Sequence, residues 1–286
     1  MMKILVTGIT GQLGHDVMLE LQARGHEAVG ATRKDFSLTD FPAAQAFVER
    51  VHPDAIIHCA AYTAVDQAED EKDLCMIVNG GATRTLAAAA KAIGAKFVYL
   101  STDYVFPGLG DTPYETDAPK GPVNAYGLSK YAGEVAVQEL LENYFIVRIS
   151  WVFGVNGKNF IKTMLRLAET HDTLTVVDDQ IGSPTYTKDL ARLLVDMVES
   201  DKYGVYHATN EGFCSWATFA REIFRQAGKD ITVTPVPSSA YPTKAVRPKN
   251  SRLSKAALDA AGFSRLPAWQ DALGRYLCEL HKNTTE

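Results

Sequence analysis

The sequence of 286 residues has no block of basic residues, no internal repeat and no low-complexity tract. Its formal net charge is −5, and without a basic stripe that balance argues against a nucleic-acid-binding surface. The longest run of small apolar residues, Leu86 to Ala90, stops at Lys91. That is far short of the roughly 20 residues a membrane-crossing helix needs, so no membrane partner is expected. Cysteine is scarce: Cys59, Cys75, Cys214 and Cys278 fall at spacings that match no metal motif. They read as reduced, mostly structural thiols. The chain opens on a strand-like run and a glycine loop, where a secretory signal would have a charged segment and then an apolar one. The expectation is therefore a cytoplasmic protein.

Hydrophobic residues make up 46% of the chain, enough to bury a large core as one sizeable domain or as two lobes that share it. Lys3-Ile4-Leu5-Val6 reads as a short buried strand. It runs into Thr7-Gly8-Ile9-Thr10-Gly11-Gln12-Leu13-Gly14 and then into a helical pattern with Val17, Leu19 and Leu21. Glycines at Gly8, Gly11 and Gly14 suit a tight turn, close approach of backbone to a pyrophosphate, and close packing of helix on sheet. The phosphates would lie on the amino end of the helix, with Gln12 and Leu13 in its first turn.

Strands and helices then alternate. Strands are expected near 27–31, 54–59, 96–101 and 144–149, and helices near 12–24, 42–51, 79–93 and 125–142. This rhythm implies an α/β fold, a Rossmann-type doubly wound parallel sheet covered on both faces. After Trp151 it becomes irregular, and Pro184, Pro235, Pro237, Pro242 and Pro248 punctuate a smaller carboxyl-terminal lobe. Gly204-Val205-Tyr206-His207-Ala208 is expected to return to the main sheet. Residues 1–150, with 187–210, would form a dinucleotide-binding lobe. Residues 151–186 and 211–286 would form an interleaved substrate-binding lobe.

Ligands of open parallel sheets bind beyond the carboxyl ends of the strands. His58-Cys59-Ala60-Ala61-Tyr62 follows the third strand, and Ala60 and Ala61 are small enough to let a flat cofactor pass beside Tyr62. Ser101-Thr102-Asp103-Tyr104 follows the fourth and Ser150-Trp151 the fifth. In the run Asn124 to Lys130, Tyr126 and Lys130 lie four apart, on one face of a helix. A phenol beside a fixed cation has its proton brought within reach of neutral pH and can protonate a carbonyl oxygen as hydride arrives at its carbon. Thr102 offers a hydroxyl to hold that carbonyl.

The glycine pattern, the Ser-Thr-Asp run and Tyr126 with Lys130 resemble the extended short-chain dehydrogenase/reductase superfamily. More narrowly, Thr10 to Gly14, His58 to Glu69, Ser101 to Phe106, Gln180 to Thr185 and Ala245-Val246-Arg247-Pro248 are similar to the dTDP-4-dehydrorhamnose reductase family. The resemblance runs from the first strand to the last helix. It implies reduction of a 4-keto sugar carried on dTDP, with Thr102, Tyr126 and Lys130 as the catalytic triad. Lys130 would also hold the nicotinamide ribose. The resemblance further implies a substrate-binding set of Val65, Asp66, Thr102, Asp103, Tyr104, Trp151 and Arg247. Arg247 would contact the diphosphate with its planar donors. For Trp151 the sequence leaves open a place against the sugar or a place in the core.

The second strand leads into Ala31-Thr32-Arg33-Lys34, where many relatives place an acid for both ribose hydroxyls. Thr32 and Arg33 can receive a 2′-phosphate, so NADPH is expected ahead of NADH, although Asp35 lies near enough to reach a ribose. Some relatives bind magnesium between subunits through acids; Asp16 and Asp189 fall near two such places, but no third acid accompanies them, and no metal is expected. A homodimer is compatible with the composition. Two other readings stay open: a non-catalytic dinucleotide-binding subunit like the beta subunit of methionine adenosyltransferase, and a reductase or epimerase for another nucleotide sugar.

Overall fold

The computed structural model describes residues 1–285 and the side-chain surroundings of residues 1–282. Six strands form one sheet: β1 (Lys3–Thr7), β2 (Glu27–Ala31), β3 (Ala55–His58), β4 (Lys96–Thr102), β5 (Tyr144–Ile149) and β6 (Gly204–His207). Their order across the sheet is β6-β5-β4-β3-β1-β2, every pair is parallel, and the sixth strand does return from beyond Trp151. The strand order reverses between β1 and β3, which have connections on opposite sides. In such sheets that switch point is where a ligand crevice opens.

The strands are apolar on both faces because helices cover both. Ile4, Val6, Ile57, Val98 and Val147 point to one side. There they meet Leu13, Val17 and Leu21 of α1 (Gln12–Ala23), and Leu190, Leu194 and Val198 of the helix Thr187–Val198. Leu5, Ile56, Phe97, Tyr99 and Ile146 point to the other. They meet α2 (Phe41–Val51), α3 (Ala82–Ile93) and α4 (Ala125–Leu140) through Phe47, Val48, Leu86, Ala90 and Val137. A separate aromatic core lies outside the sheet. It is built from Phe153, Tyr186, Phe219, Phe224, Trp269 and Tyr276.

Two details differ from the sequence expectation. The helix expected near 79 begins at Lys72: the helical segment Lys72–Met76 passes through one wide turn at Ile77–Gly81 before α3. The wide turn frees Asn79, whose side chain accepts from the Tyr62 N–H at 2.8 Å and donates to the Tyr62 carbonyl at 3.0 Å. The irregular region after Trp151 also contains short strand pairs, among them Thr173–Val177 with Thr232–Val236 in parallel. Pro235 sits in the second of these, a two-stranded ribbon in which a missing N–H is tolerated at an edge.

Candidate active site

The glycine loop is built as a cradle. Gly8 has φ +71°, and a Cβ there would stand 2.8 Å from the backbone of Ala60, so only glycine lets the β1 and β3 loops approach this closely. Thr7 locks the two together: its Oγ1 accepts from the Ala60 N–H at 3.1 Å and bonds Nδ1 of His58 at 2.8 Å. Burial pushes His58 down to about 3, so the ring is neutral. The amino end of α1 starts at Gly11 with no side-chain cap. Its first N–H groups and the positive end of the helix dipole face the loop, as a pyrophosphate requires. These features fit a dinucleotide.

Gln12 does something the sequence did not reveal. Its side-chain oxygen accepts from the Gly154 N–H at 2.9 Å and from Asn159 Nδ2 at 3.0 Å. The first turn of α1 is thereby tied to the segment after β5. The Thr32 hydroxyl, expected to meet a 2′-phosphate, donates to Asp35 at 2.9 Å, and the Thr32 N–H donates to the same oxygen at 2.8 Å. Those two bonds hold Asp35 below the usual carboxylate range. Arg33 and Lys34 are exposed at the same turn.

Thr102 ends β4 and Tyr126 opens α4, so the sheet and the helix meet at the two hydroxyls. Asn124 caps α4: its Oδ1 accepts from the Gly127 N–H at 2.8 Å, while its Nδ2 donates to the Val246 carbonyl at 2.8 Å. Gly127 lets the first turn of α4 rest on the Tyr104 carbonyl, a place where any Cβ would collide with that oxygen. The Tyr104 and Tyr126 rings meet edge to face at 5.5 Å. Thr102 Oγ1 donates to Asp103 Oδ1 at 3.0 Å and accepts from the Tyr104 N–H at 3.2 Å.

Lys130 is on the same face of α4, one turn on, and is buried. Its Nζ lies over the Tyr99 ring at 4.2 Å, and burial pushes it down to about 7, with Glu134 pulling the other way. The sequence expectation for Tyr126 needs correction here. Burial, and then the charge of Asp103, raise the phenol above its ordinary value, while Thr102 lowers it. Desolvation is the largest influence on the phenol, and the lysine one turn on is itself lowered by burial.

On the other wall, Asp66, Tyr104 and Arg247 converge. Arg247 Nη2 donates to Asp66 Oδ2 at 2.6 Å, its Nη1 reaches the Tyr104 hydroxyl at 3.4 Å, and the Ala245 N–H donates to Asp66 Oδ1 at 3.2 Å. Val65 is half-buried beside them, and Ala61 and Tyr62 are half-buried on the same loop. Trp151 has φ +50° and stacks on Trp216, with ring centroids 3.7 Å apart and planes at 15°. It is half-buried, and Gly182 also lies against its ring, so the packing alternative left by the sequence is seen in the structure. The two acids considered for a metal are engaged otherwise. Asp16 accepts from Thr187 Oγ1 at 2.5 Å, and Asp189 is gripped by Arg275 through two bonds of 2.7 Å and by Asn210 at 2.8 Å. Among the described residues no group of three or more His, Cys, Asp or Glu could hold a metal ion.

The glycine cradle after β1 and the Thr/Tyr/Lys set after β4 thus stand at the same, carboxyl end of one sheet. The family model of the RmlD substrate binding domain matches residues 2–282. The dTDP-4-dehydrorhamnose reductase of Streptomyces griseus is 44% identical over 276 residues, 94% of this chain and 91% of the relative. The chain belongs to the dTDP-4-dehydrorhamnose reductase family. Two solved structures of that family superpose closely. The Clostridium acetobutylicum protein has a TM-score of 0.96 at 41% identity, covering 98% of this chain and all of the other. The Bacillus anthracis protein, solved in complex with NADP, has a TM-score of 0.94 at 42% identity over 96% and 98% of the two chains. The family's NADP-bound member shares the full α/β frame described above.

Proposed function

We propose that the chain reduces the 4-keto group of dTDP-4-dehydro-L-rhamnose to give dTDP-L-rhamnose, with NADPH as reductant. The observation that carries this reading is the meeting of Thr102, Tyr126 and buried Lys130 at the carboxyl end of β4, beside the glycine cradle of β1, in a chain of this family. Residues 1–150 with 187–210 form the cofactor lobe in this reading, and 151–186 with 211–286 form the sugar side.

Gly8, Gly11 and Gly14 with the first turn of α1 hold the pyrophosphate, and Ala60, Ala61 and Tyr62 bound the cofactor on the β3 side. When bound, the nicotinamide supplies the hydride. Everything else falls to this chain. Tyr126 gives its proton to the sugar oxygen as negative charge develops there. Lys130 holds the ribose and, in its charged form, favours the tyrosinate left behind. Thr102 orients the carbonyl. Arg247 exchanges Asp66 for the diphosphate, an acceptor its planar guanidinium can engage through two parallel bonds. Trp151, backed by Trp216, lies against the sugar.

The preference for NADPH rests on Arg33, exposed and cationic at the end of β2, with Asp35 engaged by Thr32. Comparing kcat/KM for the two cofactors in the wild type and in Arg33→Ala checks it. The account expects the ratio to favour NADPH and to fall on the order of tenfold in the variant, the loss of one charge-assisted contact. A wild-type ratio favouring NADH would refute the preference. The activity itself is tested by following NADPH absorbance with dTDP-4-dehydrorhamnose generated in place, and with 4-keto sugars on other nucleotides as controls.

A further inference from the structure

Thr102 has a single hydroxyl hydrogen, and the structure commits it to Asp103. One of its lone pairs takes the Tyr104 N–H. The Thr102 hydroxyl also acts on Tyr126, whose phenol it lowers. An ionised carboxylate only accepts. While Asp103 is charged, then, Thr102 can offer the crevice an acceptor and no donor.

Asp103 is itself held from the far side of the crevice. The Ser251 hydroxyl donates to Asp103 Oδ2, and Ser251 is fixed by its own N–H, which donates to the Ile181 carbonyl at 2.7 Å. All three polar side chains are at most 5% exposed. The line Ser251, Asp103, Thr102 therefore runs from the carboxyl-terminal segments to the end of β4 through buried side chains.

We propose that Asp103 is a positioning residue for the reduction: in its neutral form it donates to Thr102 and turns that hydroxyl's only hydrogen toward the sugar oxygen. The proton on Asp103 stays there through turnover, and the proton delivered to the sugar is the one on Tyr126. Every bond remains satisfied, since Thr102 then accepts from the Tyr104 N–H and from Asp103 and donates into the crevice. This rests on the triad reading given above.

The surroundings agree. Burial pushes Asp103 up to about 6, against the opposing pull of Ser251 and Thr102, and a bound sugar would exclude more water and raise it further. The Asp103 charge also holds up the phenols of Tyr126 and Tyr104, so neutralising it makes Tyr126 the stronger acid. The ionisable groups around it are Tyr126 and, one turn on, Lys130 from α4, Tyr104 from its own segment, and Arg247 with Asp66 behind Tyr104.

The test is kcat and KM from about pH 5.5 to about pH 9 for the wild type, Asp103→Asn and Ser251→Ala, with Tyr126→Phe alongside. A side-chain amide can donate to Thr102 at every pH. The ratio of Asp103→Asn to wild-type kcat should therefore rise with pH, on the order of tenfold or more between about pH 6 and about pH 8. Titration of Lys130 is common to both proteins and cancels in that ratio. Ser251→Ala removes a donor that favours the carboxylate, so the alkaline midpoint of kcat should move upward. A flat ratio together with an unmoved midpoint overturns the proposal. If Asp103→Asn does not fold, the Ser251→Ala midpoint decides alone. Wild-type turnover in Tyr126→Phe is a different result, which removes the triad reading itself.

Discussion

Glu134 stands one turn beyond Lys130 on α4 and is the most informative residue to change outside the crevice. It accepts from Ser101 Oγ at 2.5 Å and from Arg148 Nε and Nη2 at 2.8 and 2.7 Å. The two side chains of the ion pair are 1% and 2% exposed. Arg148 also donates to the Thr116 carbonyl at 2.8 Å and touches His207 at 3.2 Å. Glu134→Gln keeps the volume but leaves a buried guanidinium without its counter-charge, at a cost of about 3–5 kcal/mol. Against a total stability of about 5–15 kcal/mol that is a large fraction. With a urea slope of about 2–3 kcal/mol per molar, the unfolding midpoint should fall by about 1–2 M. The same change removes the main influence pulling Lys130 up, so the lysine should be less charged near neutrality and NADPH should bind more weakly. Urea titration with a tryptophan signal measures the first effect and cofactor titration the second. A midpoint moved by less than about 0.3 M, equivalent to less than about 1 kcal/mol, would refute the reasoning.

The remaining predictions concern single side chains. His58 is neutral in the fold because burial lowers it to about 3 from its ordinary 6.5. Between those values the unfolded chain binds the extra proton, so stability present above about pH 6.5 is lost as pH falls, approaching roughly 5 kcal/mol at pH 3 for this group alone. His58→Asn should flatten the acid side of the stability curve, and an unchanged slope counts against the assignment. Arg247→Ala should raise KM for the nucleotide sugar by about 10- to 100-fold, the loss of a charge-assisted pair, with kcat much less affected. An unchanged KM takes Arg247 out of the site. Trp151→Ala should both destabilise the fold by about 2–4 kcal/mol through the lost stack on Trp216 and raise KM for the sugar; destabilisation with an unaltered KM would confine Trp151 to packing.

The parts of this molecule that were legible in its sequence are those encoded by spacing. Lys3 to Val6 followed by three glycines at intervals of three marks a strand, a turn and a helix. The four-residue step from Tyr126 to Lys130 marks a shared helix face. The return of Gly204–His207 was readable as a strand-like run, and it takes the edge place beside β5. The contacts that were not legible join residues far apart in the chain. Gln12 meets Gly154, Asp66 meets Arg247, and Asp103 meets Ser251 across 148 positions. Such pairs have no spacing to read. The direction of the Tyr126 shift was missed because the helix argument supplies a cation but says nothing of how deeply phenol and ammonium are both buried. The widened turn at Ile77–Gly81 was missed because its cause is the clasp of Asn79 on the Tyr62 backbone, a tertiary contact. Asp16 and Asp189 are acids whose partners, Thr187 and Arg275, come from helices distant in sequence.

The central claim is that this crevice reduces the 4-keto sugar on dTDP through the phenol of Tyr126. The most direct measurement follows NADPH oxidation with dTDP-4-dehydrorhamnose in the wild type and in Tyr126→Phe, with cofactor binding measured on both. The account predicts turnover in the wild type that depends on the thymidine sugar. In Tyr126→Phe it predicts a fall of about 10²- to 10⁴-fold with cofactor affinity largely kept, as expected when a general acid is removed and its ring retained. Equal turnover in the two proteins would contradict the role of Tyr126. No oxidation of NADPH with any 4-keto sugar, despite measurable cofactor binding, would contradict the activity.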